Sequence, residues 1–353
     1  MSKILLEDID QIVSDSNIPW GELRGSVILI TGATGAIGTV LVQVLSMANI
    51  RYRLDLHILA YGRSAERASM LFGKMDSVEF VKHDIRSSFI ESGPVDYIFH
   101  AAAITQSKEM VANPVGVIET ALKGTENILA LAKEKRSKSV VYLSSMEVYG
   151  LTDPELPFVT ENDLGYINLQ NPRSSYPESK RMCECLCNSY FTQYGMPIKV
   201  ARLAQTFGAG FPSDDSRIFA QFARSSVAGT DIVLHTEGKS RGNYCYISDA
   251  ISGLMLLLLK GKDGETYNIA NPETSMTIRE MADLVANEVS GGRVSVIVDK
   301  PSDLAKRGYA PDVTMRLSVD KIQRLGWKPK YGLAEMYGRM ILDWQEAYNV
   351  QTI

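Results

Sequence analysis

The chain has 353 residues, 45% hydrophobic and 22% charged, with a formal net charge of −4. That supports one large α/β domain with an appendage, or two modest domains, and its mild acidity gives no reason to expect nucleic acid or an anionic membrane as partner. The longest apolar run, Leu254 to Leu259, is far too short for a bilayer, and Glu7, Asp8 and Asp10 break any leader-like opening, so a cytoplasmic protein is expected.

The first 24 residues read as an added helix and lead-in, with Pro19 and Trp20 marking the approach to a buried strand, SVILITG (26 to 32). TGATGAIG (31 to 38) then turns the strand into the amphipathic run IGTVLVQVLSMA. Gly32, Gly35 and Gly38, with Ile37 among them, let a backbone approach a pyrophosphate at a helix N-terminus, so the turn predicts a dinucleotide site. A second strand, DLHILAYG (55 to 62), is followed by no acid until Glu66. Arg63 and Ser64 stand where a 2′-phosphate would be received, which favours NADP slightly over NAD, a solvated loop arginine being the plainer alternative. Asp84 and Ile85 end the third strand, VEFVKHDI (78 to 85), placed to meet the adenine edge.

VDYIFHAAA (95 to 103), SVVYLSS (139 to 145) and IKVARLAQTFG (198 to 208) supply three more strands, with helical runs GVIETALKGTENILALAKEK and ESKRMCECLCNSYFTQYG between them. This alternation predicts an α/β fold with a doubly wound parallel sheet, the Rossmann arrangement. After residue 208 the pattern loosens into a strand IVLHTEG and a helix DAISGLMLLLLK, read as a smaller α/β substrate-binding domain. The expected division is a helical extension over 1–24, a dinucleotide-binding domain over 25–205 and a mainly substrate-binding domain over 206–353, with part of 242–270 free to pack with the first domain. Cys183, Cys185 and Cys187 would fan around one helix, no histidine lies near them in sequence, and His57, His83 and His235 do not cluster. The expectation is no metal site, buried free thiols, and a core role for His100.

Tyr176 and Lys180, in SSYPESKR, are four apart and share a helix face. A nearby ammonium favours the phenolate, so the tyrosine pKa is expected to fall and the side chain to take a proton from an alcohol while hydride leaves for a nicotinamide. Ser145, at the carboxyl end of a strand, would hydrogen-bond the same oxygen. Glu147 follows it in YLSSMEVYG, where it either faces the substrate or caps the turn.

Together TGATGAIG, HAAAIT, LSSMEVYG, YPESK and ARLAQTFG resemble the extended short-chain dehydrogenase/reductase family that modifies nucleotide sugars, from about residue 25 to LGWKP at 325 to 329. The resemblance implies that Ser145, Tyr176 and Lys180 form a catalytic triad, that Lys180 also holds the nicotinamide ribose, and that Ala101, Ala102 and Ala103 line the cofactor. The block from Glu178 to Phe222 is most similar to UDP-glucuronate decarboxylases and their 4,6-dehydratase relatives, which implies an acid/base role for Glu147 at C5 of a sugar oxidised at C4. Met146 departs from the dehydratase pattern, where an aspartate protonates the departing C6 hydroxyl. Gln205 stands for a usual asparagine, and Arg241 lies one residue before a usual diphosphate arginine, whose slot holds Gly242. Arg217 and Arg307 resemble further substrate-side arginines. The implied enzyme is NAD(P)-dependent and acts on a nucleotide-diphosphate sugar through transient C4 oxidation, with dehydration, decarboxylation and epimerisation left open. A homodimer through the helices near 113–135 and 175–194 is also implied. The alternative is an NADPH-dependent keto-sugar or carbonyl reductase, which LAYGRS favours.

Overall fold

The computed structural model describes residues 1–300 and 312–351. The chain opens with α1 (Lys3–Val13), capped by the Ser2 hydroxyl on Leu5 N–H. It then alternates through β1 (Val27–Thr31), α2 (Ala36–Tyr52), β2 (His57–Gly62), α3 (Ala65–Phe72), β3 (Val78–Lys82), β4 (Tyr97–His100), α4 (Ser107–Ala112), α5 (Pro114–Lys135), β5 (Ser139–Ser145), α6 (Ser175–Tyr194) and β6 (Ile198–Leu203). α5 shows how local signals set an element. Asn113 caps it by accepting from Gly116 N–H, Pro114 occupies the first turn where no donor is needed, and Arg136 in the left-handed region ends it. α2 is buried from Gly38 through Ser46 because α1 and a later helix cover its outer side, which is why its sequence is apolar nearly all round.

Beyond β6 come β7 (Gln205–Phe207), α7 (Ile218–Ala228), β8 (Ile232–Leu234), β9 (Arg241–Tyr246), α8 (Ile247–Lys260), β10 (Thr266–Ile269), β11 (Asn271–Thr277), α9 (Ile278–Leu284), β12 (Val296–Val298), α10 (Asp320–Gln323) and α11 (Leu333–Gln351). Seven strands form one parallel sheet in the order β10-β6-β5-β4-β1-β2-β3. The chain reverses direction across this sheet between β1 and β4, so a crevice opens at their carboxyl ends, where open α/β sheets bind ligands.

The single strand expected over 198–208 is two strands in two sheets. β6 pairs with β5 and β10, Ala204 N–H still bonds to Ile269 C=O at 2.9 Å, and Gln205 then pairs with Tyr244 of β9 in a three-stranded sheet, β11-β9-β7. α8 packs on the large sheet and β10 forms its edge, while β9 stays with the small one. The cysteines depart from expectation at one position. Cys183, Cys187 and Cys245 are buried, but Cys185 is exposed, because spacing two on a helix turns it outward. No described helix is long and apolar enough to cross a membrane.

Candidate active site

The turn after β1 works by backbone proximity. Gly32 has φ +67°, and a Cβ there would lie 2.8 Å from Ala102 Cα; at Gly38 it would lie 2.2 Å from Gly32 O. Only glycine permits both approaches. Below the turn, Thr31 Oγ1 accepts from Ala101 N–H at 3.1 Å and Ala102 N–H at 3.2 Å, so its own proton goes to His100 Nδ1 at 2.7 Å. His100 Nε2–H then faces Thr125 Oγ1 at 3.2 Å. Burial, with the Lys180 charge second, pushes the His100 pKa down to about 3, so the ring is neutral and structural.

A cleft over this turn is lined by Gly32, Gly35, Arg63, Ser64, Asp84, Ile85, Ala101, Ala102 and Ala103. Ser64 caps α3 by accepting from Arg67 N–H, and Arg63 and Arg67 flank it in the same wall. Asp84 is held by Arg86, whose hydrogen bonds pull its carboxyl down to about 2. A helix N-terminus reached by a tight glycine turn, whose backbone packs too closely for any Cβ at Gly32 or Gly38, fits a dinucleotide pyrophosphate.

The cleft continues through Ala101 and Ala103 into a smaller cavity lined by Ile37, Ser145, Glu147, Tyr176, Lys180, Gln205 and Arg217. The expected pairing of Tyr176 with Lys180 is loose here. Lys180 Nζ donates to Leu143 C=O at 2.6 Å and lies 5.9 Å from the Tyr176 ring centre. Burial lowers the lysine to about 8. The Tyr176 pKa is raised, first by burial and then by the Glu147 charge, while the Ser145 hydroxyl, Arg217 and Arg173 pull the other way. The expectation of a lowered tyrosine is therefore corrected for this structure, because desolvation outweighs the neighbouring cations.

Glu147 sits in a short turn over Met146–Tyr149, which the Ser145 hydroxyl caps by accepting Glu147 N–H at 3.2 Å. Its carboxylate is gripped by Arg173, with Nη1 to Oε2 at 2.6 Å and Nη2 to Oε1 at 3.3 Å. Sequence reasoning passed over Arg173, although it stands three residues before Tyr176 in NPRSSYPESK and so had to enter the same neighbourhood.

Met146, Glu147 and Gln205 also border a third cavity of about 240 Å³, which opens between the large sheet and the β9 sheet. Arg241 lines it but is already engaged, with Nη1 on Ser275 C=O at 2.8 Å and Nη2 on Glu280 at 2.9 Å. The Met146 methyl stands 3.1 Å from where a Gly242 Cβ would be, so the two departures from the family pattern are in contact. Arg217 bonds to Asp215 at 2.6 Å and stacks 4.8 Å over Phe219. Arg307 lies outside the described residues. Among the described residues, no group of three or more His, Cys, Asp or Glu is placed to hold a metal ion.

The family described as "NAD dependent epimerase/dehydratase family" matches residues 28–270. The chain is 32% identical over 309 residues to UDP-glucuronic acid decarboxylase 5 of Arabidopsis thaliana, covering 87% of this chain and 86% of that one. It is 30% identical over 317 residues to UDP-glucuronic acid decarboxylase 1 of Xenopus tropicalis, covering 89% and 71%. Among solved structures, an epimerase from Methanothermobacter thermautotrophicus superposes with a TM-score of 0.78 at 23% identity, covering 99% and 97%. A dTDP-glucose 4,6-dehydratase from Bacillus anthracis in complex with NAD superposes with a TM-score of 0.74 at 19% identity, covering 92% and 98%. The chain belongs to the NAD dependent epimerase/dehydratase family and is an NAD(P)-dependent enzyme of its nucleotide-sugar-modifying kind.

Proposed function

We propose that the enzyme oxidises C4 of a nucleotide-diphosphate sugar transiently, and that the step this enables is loss of carbon dioxide from a UDP-uronic acid. The supporting observation is the meeting of Ser145, Glu147, Tyr176 and Lys180 in one cavity that shares Ala101 and Ala103 with the dinucleotide cleft. In this reading Tyr176 takes the C4 hydroxyl proton, Ser145 bonds the same oxygen, and Lys180 holds the nicotinamide ribose. The nicotinamide, when bound, supplies the reversible hydride acceptance. Residues 25–205 serve the dinucleotide and 206–353 mainly the sugar, with Gln205, Arg217, Arg241 and Arg307 as substrate-binding residues.

A ketone at C4 makes a C5 carboxylate the acid of a β-keto acid. The electrons of the C5–carboxyl bond then move into the carbonyl as carbon dioxide leaves, and the enolate takes one proton at C5, delivered from solvent through Glu147. No donor is required for a departing C6 hydroxyl, which is compatible with Met146, whose thioether has no proton to give. The named relatives are UDP-glucuronic acid decarboxylases, which favours this outcome over elimination or epimerisation.

The test is mass spectrometry of UDP-glucuronate incubated with enzyme in heavy water. A UDP-pentose with one deuterium at C5 is expected; unchanged composition with inversion, or loss of water from a neutral sugar, would replace decarboxylation by epimerase or dehydratase chemistry. A second reading, an NADPH-consuming reductase, is favoured by Arg63, Ser64 and Arg67 at the adenosine end. Arg63→Ala should lower affinity for NADP about tenfold relative to NAD if a 2′-phosphate sits there. Cofactor-dependent turnover with stoichiometric release of oxidised NADP would make the reductase the enzyme's function. Val115 and Ile118 of α5 and Met182 of α6 are exposed, which supports a homodimer through those helices; light scattering would read its mass. The free thiols suit the reducing cytoplasm.

A further inference from the structure

Arg173 is a half-buried cation with a narrow set of contacts. Its side chain bonds to Glu147 alone among the described residues, and its Nε is buried with no acceptor. It lies in the turn Pro172–Ser174 immediately before α6, and its partner lies in the turn that follows β5. Those two turns bring Tyr176 and Ser145 to the reactive cavity. The carboxylate therefore has a fixed plane at the junction of the reactive and substrate cavities, with both oxygens held by one planar fork.

We propose that Arg173 is the positioning residue for Glu147: its guanidinium sets the orientation of the carboxyl group and stabilises the carboxylate left when Glu147 gives up its proton, which solvent then replaces. This rests on the reading of Glu147 as the group that handles the C5 proton. The surroundings make such a partner necessary. Met146, Leu151, Ile167 and Tyr244 give the adjoining cavity an apolar wall, and none of these side chains carries a charge to hold the carboxylate. Among the described residues, the other charged or titratable groups lining these two cavities are Tyr166, the α6 residues Tyr176 and Lys180, Arg217 before α7, and Arg241 and Tyr244 of β9. Lys180, Arg217 and Arg241 are each tied to Leu143 C=O, Asp215 and Glu280 respectively, so none replaces Arg173. When Glu147 donates to the C5 enolate, the O–H bond breaks, the C5–H bond forms, and the carboxylate left behind closes on the guanidinium. Arg173 stabilises that carboxylate and keeps the donor aimed.

The experiment compares pH–rate profiles of the wild type with Arg173→Gln, Arg173→Lys, Glu147→Gln and the double variant, alongside an isotope-edited infrared spectrum of the Glu147 carboxyl. In Arg173→Gln, turnover should fall about 100-fold from misplacement alone, and the limb that Glu147→Gln abolishes should move up by about one pH unit or more. Arg173→Lys, which keeps a cation, should leave that limb in place and lose about tenfold or less. The double variant should be no slower than the worse single one, since the two residues act as a unit. A folded Arg173→Gln enzyme whose limb does not move overturns the proposal, whether its rate falls or not, because a merely structural staple predicts that result. The infrared spectrum keeps the two readings apart. If UDP-glucuronate is not turned over, the functional reading fails, while a carboxyl ionised at neutral pH in the wild type and partly protonated in Arg173→Gln still supports the Arg173–Glu147 assignment; an unchanged spectrum overturns it.

Discussion

Tyr176 carries opposed influences that a mutation can separate. Burial and the Glu147 anion hold its proton on, and Ser145, Arg217 and Arg173 favour its release. Tyr176→Phe keeps the ring and the packing but removes the proton site, so turnover should fall about 10²–10⁴-fold with cofactor affinity little changed; stopped-flow rates and fluorescence titration of the nicotinamide check both halves. His100 gives a stability prediction whose sign follows from its depressed pKa. The folded ring stays neutral down to about 3, whereas the unfolded one protonates near its ordinary value of 6.5. Between those values the unfolded chain binds more protons, so stability is full above 6.5 and is lost as pH falls, up to about 5 kcal/mol across the whole interval. Urea midpoints at pH 7 and pH 5 should show a smaller loss in His100→Gln than in the wild type; equal losses would place the acid sensitivity elsewhere.

At the scale of elements, the β1–α2 turn is the clearest case of local sequence serving a long-range contact. Its glycines are spaced to be legible, but what they leave room for is the loop after β4, drawn in by the Thr31 hydroxyl. Gly32→Ala would force a left-handed residue against Ala102, costing about 1–3 kcal/mol. NAD(P) affinity should drop about tenfold or more, because the same backbone approach forms the cleft; calorimetric titration and a thermal melt would show the two effects together. β5 ends at Ser145 as its apolar run implies, and Ser145 then caps the turn that carries Glu147. The strand over 198–208 was less legible. Nothing in its pattern marks Ala204 as the point where one sheet's last partner ends and another's begins.

Across the whole molecule, the N-terminal helix is part of the main core and not an ornament on it. Leu5, Ile9, Ile12 and Val13 of α1 are buried, and Asp8 is sealed beneath them. Asp8 accepts from Tyr246 Oη at 2.6 Å and from Arg339 Nη2 at 2.7 Å, tying α1 to the junction of β9 and α8 and to α11. Burial raises the Asp8 pKa even against those partners. Removing one member of a buried, hydrogen-bonded charge pair typically costs about 3–5 kcal/mol, so Asp8→Ala should lower the unfolding free energy by that amount, read from the lowered urea midpoint. Asp249, in the first turn of α8, plays a related part by accepting from Lys330 and Tyr331 N–H, which brings the 320s segment back onto the helix. Asp8 is bonded directly to Tyr246 and Arg339, more than 200 positions further along the chain.

What the sequence by itself determined is whatever depends on neighbours along the chain: the strand–helix alternation, the glycine turn, the shared helix face of Tyr176 and Lys180, and the order in which Ser145 and that pair arrive. Periodicity and capping are short-range, so composition within a dozen residues encodes them. Tertiary structure alone decided the pairings. Glu147 meets Arg173 across 26 positions and Arg241 meets Glu280 across 39, and neither partner is announced by any local pattern. Met146 lies against Gly242, and Lys180 turns to the Leu143 carbonyl, away from an ion-pair-like approach to Tyr176. Which charge finds which is set by topology, and how far each pKa moves is set by how much water the packed elements exclude. The chemistry expected from residue types was therefore readable early, whereas the partner of Glu147 and the raised pKa of Tyr176 became readable only when their surroundings were assembled.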